Sequence, residues 1–286
     1  MGRGLASSLL LLAALACGAP GDPAPGAGSG RARGGPARPA VEVTFLDVGQ
    51  GDATLIRTSE GRTALIDAGP GDPTAQLRDL GVERLDLVIA THPHADHIGG
   101  MEAVLAAFPV GSYMDSGKPH STETYLGLLR ALRDRPDIPY LEAVPRSLTL
   151  GSATLEVLPL PPANQVDHND RSVGVVVRFG QFAAFLSGDS ERPLLSHFLD
   201  HDVVPDVTLL KAAHHGSRDG FTDDFLNTAR PEVVVISLGA NGYGHPHRES
   251  LAAYAAVARE VYRTDVVGTV TIVGYQDGSY MVGKSR

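Results

Sequence analysis

Residues 91–100 read THPHADHIGG, and His92, His94, Asp96 and His97 fall within six consecutive positions just after an apolar run. Imidazole and carboxylate groups together suit zinc and its neighbours manganese, iron and cobalt. The turn is tight enough for His92 and His94 to point one way and Asp96 and His97 another, which makes two adjacent metal positions. Two metals roughly 3.5–4 Å apart can activate a water and bind a phosphoryl or carbonyl oxygen. A polar surface loop with incidental histidines is the competing description. A lone histidine would favour it, and this spacing does not.

A metal pair needs donors from elsewhere in the chain. Asp189, in FLSGDS, directly follows an apolar strand. Its carboxylate can bridge two cations, or it can cap the segment SERPLLSHFLD that follows. His214 and His215, in LLKAAHHGS, end another apolar stretch. Neighbouring side chains on a strand point to opposite faces, so one of the pair is expected to bind metal and the other to contact substrate or support the site. His168, in VDHNDRS, can complete the first metal's set, with Asn169 orienting substrate, although DHND is also ordinary turn chemistry. Tyr243 and His245, in NGYGHPH beside His247, can stabilise an oxyanion or protonate a leaving group, or belong to a Gly/Pro turn before a helix. Asp67, in LIDAG, is expected to hold a ligand histidine from behind. Asp47, Gln50, Gly51 and Asp52 form a turn whose carboxylates can do the same or merely stabilise the turn. Phosphate-cradling Gly-Lys-Ser/Thr and dinucleotide fingerprints are absent from the sequence, and GDSER is no nucleophile elbow.

From Val41 onward the chain alternates strand-like and helix-like segments. Strands are predicted over 41–48, 53–58, 63–69 and 84–92, followed by helices over 99–108 and 121–134. The second half repeats the style, with strands over 153–160, 172–180, 182–189, 206–216 and 232–239. Helices are predicted over 222–229 and 248–260, and a hairpin over 268–283 closes the domain. The polar motifs sit at the C-terminal ends of the apolar strands, where sites form in layered α/β folds.

The segment before Val41 reads differently. Residues 1–17, MGRGLASSLLLLAALAC, have one arginine, a short apolar run and small residues, the pattern of a secretory signal too short for a membrane span. LAALAC resembles a bacterial lipobox ending at Cys17, while Ala14-Leu15-Ala16 fits an ordinary cleavage site. Cys17 is the only cysteine, so the exported domain is expected to be held by core packing and metal rather than by disulfides. Residues 18–40, rich in Gly, Pro, Ala and Arg, read as a flexible tether. The expected organisation is therefore signal 1–17, tether 18–40 and catalytic domain 41–286.

Taken in order, these motifs resemble a known family. THPHADHIGG resembles the HxHxDH motif of the metallo-β-lactamase fold superfamily. FLDVGQGDATLI, LIDAG, HNDRSVGVVVRFG, FLSGD, LKAAHHGS, ISLGANGYGHPH and YRTDVVGTVTI together resemble the soluble hydrolase-like domain at the C-terminus of ComEC-type competence proteins, over nearly all of 41–286. The resemblance implies an αββα sandwich of two mixed β-sheets flanked by helices, with a dinuclear metal site at one edge. It implies His92 and His94 on one metal, Asp96 and His97 on the other, Asp189 bridging and one of His214 and His215 as a further ligand, His215 being favoured. Asp96 then counts as catalytic as well as ligating, beside Tyr243 and His245. The cofactor implied is two divalent ions, zinc first, with manganese or iron as alternatives. The activity implied is phosphodiester hydrolysis, a water activated at the metal pair attacking phosphorus. Single-stranded DNA is the substrate proposed for the competence proteins, and other phosphoesters are cleaved by related secreted enzymes. Two departures stand out. The competence proteins carry a membrane channel, where this chain has a signal and a tether. His168 also stands where this branch often has no histidine.

Charge bears on the substrate. The chain carries a net charge of −9. Four arginines and only one aspartate lie before Val41, so the domain is more acidic than the whole. Proteins that track nucleic acid usually carry a basic stripe, so a short phosphoester suits this chain better than long, tight DNA binding. The reading is an exported or lipid-anchored bacterial metallo-hydrolase of the phosphodiesterase or nuclease type. Its expected partners are a phosphoester, with DNA among the candidates, and a membrane through an acylated Cys17; no protein partner can be inferred. The alternatives are hydrolysis of another ester, lactone, amide or cell-wall phosphoester, and a non-catalytic envelope binding protein.

Overall fold

The computed structural model describes residues 38–286. The predicted signal, Cys17 and nearly all of the predicted tether lie outside the described residues. The first sheet begins with β1 (Ala40–Phe45), β2 (Thr54–Thr58) and β3 (Thr63–Ile66), which pair antiparallel. After α1 (Thr74–Asp79), β4 (Leu87–Ala90) adds parallel to β3. Then come α2 (Ala95–Ile98), α3 (Met101–Ala107), β5 (Tyr113–Asp115), α4 (Glu123–Arg133) and β6 (Tyr140–Glu142), with β5 and β6 extending the parallel run.

The second sheet starts with an antiparallel meander of β7 (Arg146–Leu150), β8 (Ala153–Val157), β9 (Val175–Phe179) and β10 (Phe182–Leu186). It continues in parallel through β11 (Leu209–Lys211), β12 (Val233–Ile236) and β13 (Glu260–Arg263), with α5 (Arg192–Asp200), α6 (Asp223–Ala229) and α7 (Arg248–Val257) as crossovers. After α8 (Thr264–Val267), the last hairpin, β14 (Val270–Tyr275) and β15 (Tyr280–Lys284), returns to the first sheet beside β1. The closing hairpin thus ties the two ends of the domain together.

Side-chain alternation builds the layers. Val41, Val43 and Phe45 of β1, Val175, Val177 and Phe179 of β9, and Val233 and Val235 of β12 meet between the sheets. Their neighbours in sequence face outward. Leu55, Leu65 and Val88 pack against Leu77, Met101, Val104 and Leu128 on the outer side of the first sheet. Val176, Phe185 and Val234 pack against Leu194, Phe198, Phe225 and Tyr254 on the outer side of the second. The Phe185 ring meets Phe198 and Phe225 edge-on at 5.8 and 5.3 Å. Strands buried on both faces explain the unbroken apolar runs VVV and FAAFL. The architecture is therefore two mixed sheets, face to face, with helices on both outer faces.

Three differences from the sequence reading have physical causes. The predicted strand over 206–216 stops at Lys211, and His214 and His215 turn into the left-handed region at φ 47° and 52°. The predicted helix over 248–260 ends at Val257, and Glu260 already pairs with Val233 in the sheet. The strands β5, β6 and β7 were not anticipated. They are short, and β6 and β7 bury too few of their residues to show an apolar period.

Candidate metal centre

The C-terminal ends of the parallel strands of both sheets converge on one edge. There β4 leads into Thr91–Pro93 and α2, β10 into Asp189, and β11 into His214 and His215. Four donor atoms form the tightest set. His97 Nε2 lies 3.2 Å from Asp189 Oδ2 and 4.0 Å from Asp96 Oδ2. His215 Nε2 lies 3.4 Å from Asp189 Oδ2 and 3.3 Å from Asp96 Oδ2. A tetrahedral zinc with bonds of about 2.0–2.2 Å needs donors roughly 3.3 Å apart. Beside this set, His92 Nε2 and His94 Nδ1 face each other at 2.9 Å, and His92 Nε2 is 3.9 Å from Asp189 Oδ2. Asp189 thus stands between two donor groups.

His97 Nε2, His215 Nε2 and Asp189 Oδ1 are buried and have no hydrogen-bond partner. Each such orphan costs about 1–3 kcal/mol. The two ring nitrogens both face Asp189 Oδ2, at 3.2 and 3.4 Å, an arrangement that fits a cation better than an empty core. The nitrogens behind them are already committed. His97 Nδ1 donates to Asp67 Oδ2 at 2.7 Å, and His215 Nδ1 donates to the Ser237 carbonyl at 2.8 Å. Both tautomers therefore leave Nε2 facing inward, the arrangement typical of metal-binding histidines. Asp67 also accepts from Thr91 N and Thr91 Oγ1, both at 2.7 Å. These bonds hold its backbone at φ 59°, a conformation that costs a non-glycine residue about 1–3 kcal/mol. Ser172 Oγ lies 3.3 Å from His92 Nδ1 and accepts from Asp189 N at 3.2 Å, so one hydroxyl links the two halves of the site.

The same carboxylates favour positive charge at this spot. Burial opposes charge on His97, but the Asp189 and Asp67 carboxylates outweigh it and hold the ring well above the ordinary histidine value. His215 is likewise buried, and Asp189 and Asp52 raise it to about 10. Burial would raise Asp189, yet His215 and His97 hold it well below the usual carboxylate range. Beneath the set, Lys211 Nζ lies 2.6 Å from Asp52 Oδ2 and donates to the Gly188 and Ala212 carbonyls, each at 3.0 Å. Both side chains are almost fully buried.

The profile described as the metallo-beta-lactamase superfamily matches residues 46–240.

The chain belongs to the metallo-beta-lactamase superfamily.

Members of this superfamily are in general metallo-hydrolases, and the donor sets above could hold such a metal. Among curated proteins, the chain is 28% identical to ComE operon protein 3 of Bacillus subtilis over 80% of its own length and 32% of that protein. It is 29% identical to Recombination protein 2 of Haemophilus influenzae, covering 84% of this chain and 30% of that one. Competence protein ComA of Neisseria gonorrhoeae is also 29% identical, over 80% and 31%. The chain spans about a third of the length of these relatives. Among solved structures, the metallo-beta-lactamase fold protein YhfI of Bacillus subtilis aligns with a TM-score of 0.53 at 15% identity, over 85% of this chain and all of that one. The β-hydroxylase CmlA aligns with the same TM-score at 17% identity, over 84% of this chain and 54% of the CmlA chain. That two such differently named proteins share the architecture shows that the fold alone does not fix the reaction.

Within this superfamily framework the structure sorts the candidate residues. His92, His94, Asp96, His97, Asp189 and His215 come together. Asp189 caps no helix, since α5 starts at Arg192 after Glu191. His214 stands at the rim, its Nδ1 2.9 Å from Glu191 Oε1 and its Nε2 3.8 Å from Asp189 Oδ2. Asn169, whose amide donates to Glu191 at 3.0 Å, lines the cleft between the two sheets' loops, together with Gln50, Tyr243 and His245. His168 lies on the far side of His94, beside His120. Glu191, Lys211 and His120 were not singled out in the sequence. A lone lysine in the apolar run DVTLLKAA was the available signal for Lys211; nothing local marks the other two.

The loop carrying Tyr243 and His245 is shaped by Asn241. Its amide donates to the Gly239 and His245 carbonyls, both at 2.9 Å, and its Oδ1 accepts from Tyr243 N and His245 N, both at 3.1 Å. Tyr243 is left 72% exposed at the cleft mouth.

Gly51 and Gly99 let backbone close on the motif. A Cβ on Gly51, at φ 147°, would stand 2.2 Å from the Asp96 carbonyl, and one on Gly99 would stand 2.3 Å from the Pro70 carbonyl. Gly51→Ala is expected to displace the Asp96 turn and to cost about 1–3 kcal/mol. Chemical denaturation would measure it, and a midpoint equal to the parent's would refute the close-approach argument.

Proposed function

We propose that this chain is an exported or envelope-anchored metal-dependent hydrolase that cleaves phosphodiesters. The observation that carries the reading is the composition of the cleft. Its volume is about 420 Å³, and among its lining residues only Ala95 is aliphatic; the others are Gln50, His94, Asp96, Asn169, Asp189, His214, His215, Tyr243 and His245. Such a wall suits a small, charged oxyanion better than an apolar acyl group. No lysine or arginine lines it, so the negative charge of a phosphodiester needs the cations that the donor sets can hold. The names competence and recombination, carried by relatives that match most of the domain, point to DNA as a phosphodiester of interest. Among the described residues no helix is long and apolar enough to cross a membrane, so membrane attachment in this reading rests on the predicted signal and Cys17.

When bound, two divalent cations would supply a water of lowered pKa and neutralise charge developing on the phosphorus oxygens. In this reading His92 and His94 would hold one cation, Asp96, His97 and His215 would hold the other, and Asp189 would serve both. Asp96 also stands where it can orient the attacking water. Asn169 and Gln50 present amides to the non-reacting oxygens. His245 is pushed down to about 4 by burial and by His214 and His215, so it is neutral at physiological pH and acts as a hydrogen-bonding group rather than an acid. On His214 burial opposes charge, but the Glu191 carboxylate 2.9 Å from Nδ1 raises the ring above its ordinary value. His214 is therefore the better placed of the two to give a proton to the leaving oxygen, while the Tyr243 hydroxyl can contact that oxygen at the cleft mouth.

The test is hydrolysis of bis(p-nitrophenyl) phosphate by the purified protein, before and after chelation and with zinc or manganese restored. Turnover is expected to vanish with the metal and return with it. His94→Ala is expected to lower it by more than the roughly 100-fold that loss of a supporting contact can cost. Two bound metals without turnover would overturn the phosphodiesterase reading in favour of another ester class, and absence of bound metal would overturn it altogether.

A further inference from the structure

We propose that Lys211 is a positioning residue of the metal centre, its buried ammonium holding together the three loops that carry Asp96, Asp189 and His215. The inference rests on the metal-binding part of the function proposed above. The donors come from both sheets. His92, His94, Asp96 and His97 follow β4 of the first sheet, whereas Asp189 follows β10 and His215 follows β11 of the second. A cation held by Asp96, His97, Asp189 and His215 would span the two sheets. Its donor distances then depend on how the ends of the sheets are held against each other.

Lys211 stands at that junction. It is the last residue of β11, a strand flanked by β10 and β12. Leu209 packs in the layer between the sheets and Leu210 in the outer layer, so alternation turns Lys211 inward, toward the first sheet. There its Nζ meets Asp52, from the loop between β1 and β2, at 2.6 Å. The pair thus crosses from one sheet to the other. On the second sheet's side the ammonium donates to the carbonyls of Gly188, immediately before Asp189, and of Ala212, where the turn carrying His215 begins, each at 3.0 Å. The Gly188 carbonyl also accepts from His214 N at 3.2 Å, which joins those two loops. On the first sheet's side Asp52 N donates to the Asp96 carbonyl at 3.1 Å. The Asp52 carboxylate lies 3.5 Å from His215 Nδ1 and 3.7 Å from His97 Nδ1, behind both ligand rings.

An ion pair is not the cheapest filling for such a space. Two apolar side chains of similar volume often serve stability as well or better. They would supply no donor to the Gly188 and Ala212 carbonyls and no directional hold on three loops at once. An ammonium offers three N–H groups, and here it is directed at the two carbonyls and at Asp52. The Asp52 charge offsets that of Lys211, so the pair adds little net repulsion toward a cation held nearby.

The test is zinc affinity of the full-length protein, read by competition with a chromophoric chelator at a temperature where each variant is folded, beside thermal melts in excess chelator. Lys211→Met is expected to bind zinc roughly 10- to 100-fold more weakly, the range for losing a contact that orients ligands. Asp52→Asn/Lys211→Met removes both charges. It is expected to melt closer to the wild type and still to bind zinc as weakly as the single variant, and it carries the comparison if the single variant does not fold. Phe198→Leu, in the outer layer of the second sheet, is expected to lower the melting temperature and leave zinc affinity unchanged. A purely structural ion pair would not separate affinity from stability in this way. Wild-type affinity in Lys211→Met would overturn the proposal. So would affinity in the double variant that recovers with the melting temperature, or an equal loss of affinity in Phe198→Leu. A wild type that takes up no zinc would overturn it together with the function proposed above. Zinc binding that depends on Lys211 in a protein without phosphodiester turnover would uphold it and overturn only that function.

Discussion

Asp189→Asn is expected to abolish phosphodiester turnover and to strip the protein of metal on dialysis. The substitution keeps the shape of the side chain and removes its charge. That charge is the one shared feature of the site: Asp189 Oδ2 lies within 3.9 Å of ring nitrogens of His92, His97, His214 and His215. In the proposed assignment Asp189 would serve both cations, so its loss should weaken both together. The loss should exceed the 10- to 100-fold in affinity that an outer contact costs. Atomic absorption on the dialysed variant, beside turnover of bis(p-nitrophenyl) phosphate, checks the prediction. A variant that retains two metals and half its turnover would remove Asp189 from the centre of the mechanism.

The second large effect is on stability. Lys211→Met is expected to cost about 3–5 kcal/mol, the penalty for breaking a buried ion pair, since the His215 and His97 rings that remain beside Asp52 stand farther off, at 3.5 and 3.7 Å. Lys211 and Asp52 are 2% and 1% exposed, so water cannot replace the missing ammonium. The Gly188 and Ala212 carbonyls lose a donor as well. For a domain of this size the melting temperature should fall on the order of 10 °C. Asp52→Asn introduced into the same chain should restore part of the loss by removing the stranded charge, a coupling that a double-mutant cycle measures. A melting temperature within a degree or two of the parent's would show that the pair contributes little.

The inner site was unusually legible because its chemistry is concentrated in sequence. THPHADHIGG carries four donors in one turn, and Asp189 and His215 each follow an apolar strand directly. Strands buried on both faces made the sheets visible as apolar runs, and the resemblance to a known family supplied their arrangement. What escaped detection depends on distance in the chain. Glu191 acquires its importance only when folding brings His214 and Asn169 to it. His120 sits in the loop SGKPHS, which has no period to read. The apolar LLKAA predicts a strand through the histidine pair, and the left-handed turn that aims His215 inward has no signature beyond the following glycine. His168 stands out by its residue type, but nothing in the sequence says which side of His94 it occupies.

The Asn241 loop has a consequence for how this protein can change. Four hydrogen bonds from one side chain fix the path of the chain from Gly239 to His245, and all four are internal to the loop. The wall that carries Tyr243 and His245 is thus specified locally, whereas the donors opposite it depend on both sheets. Lengthening or rewriting the residues that Asn241 spans would alter which molecules can enter without disturbing the donor groups opposite. Natural variation in substrate preference has an easy route here, through a short cassette whose shape is set by a single asparagine.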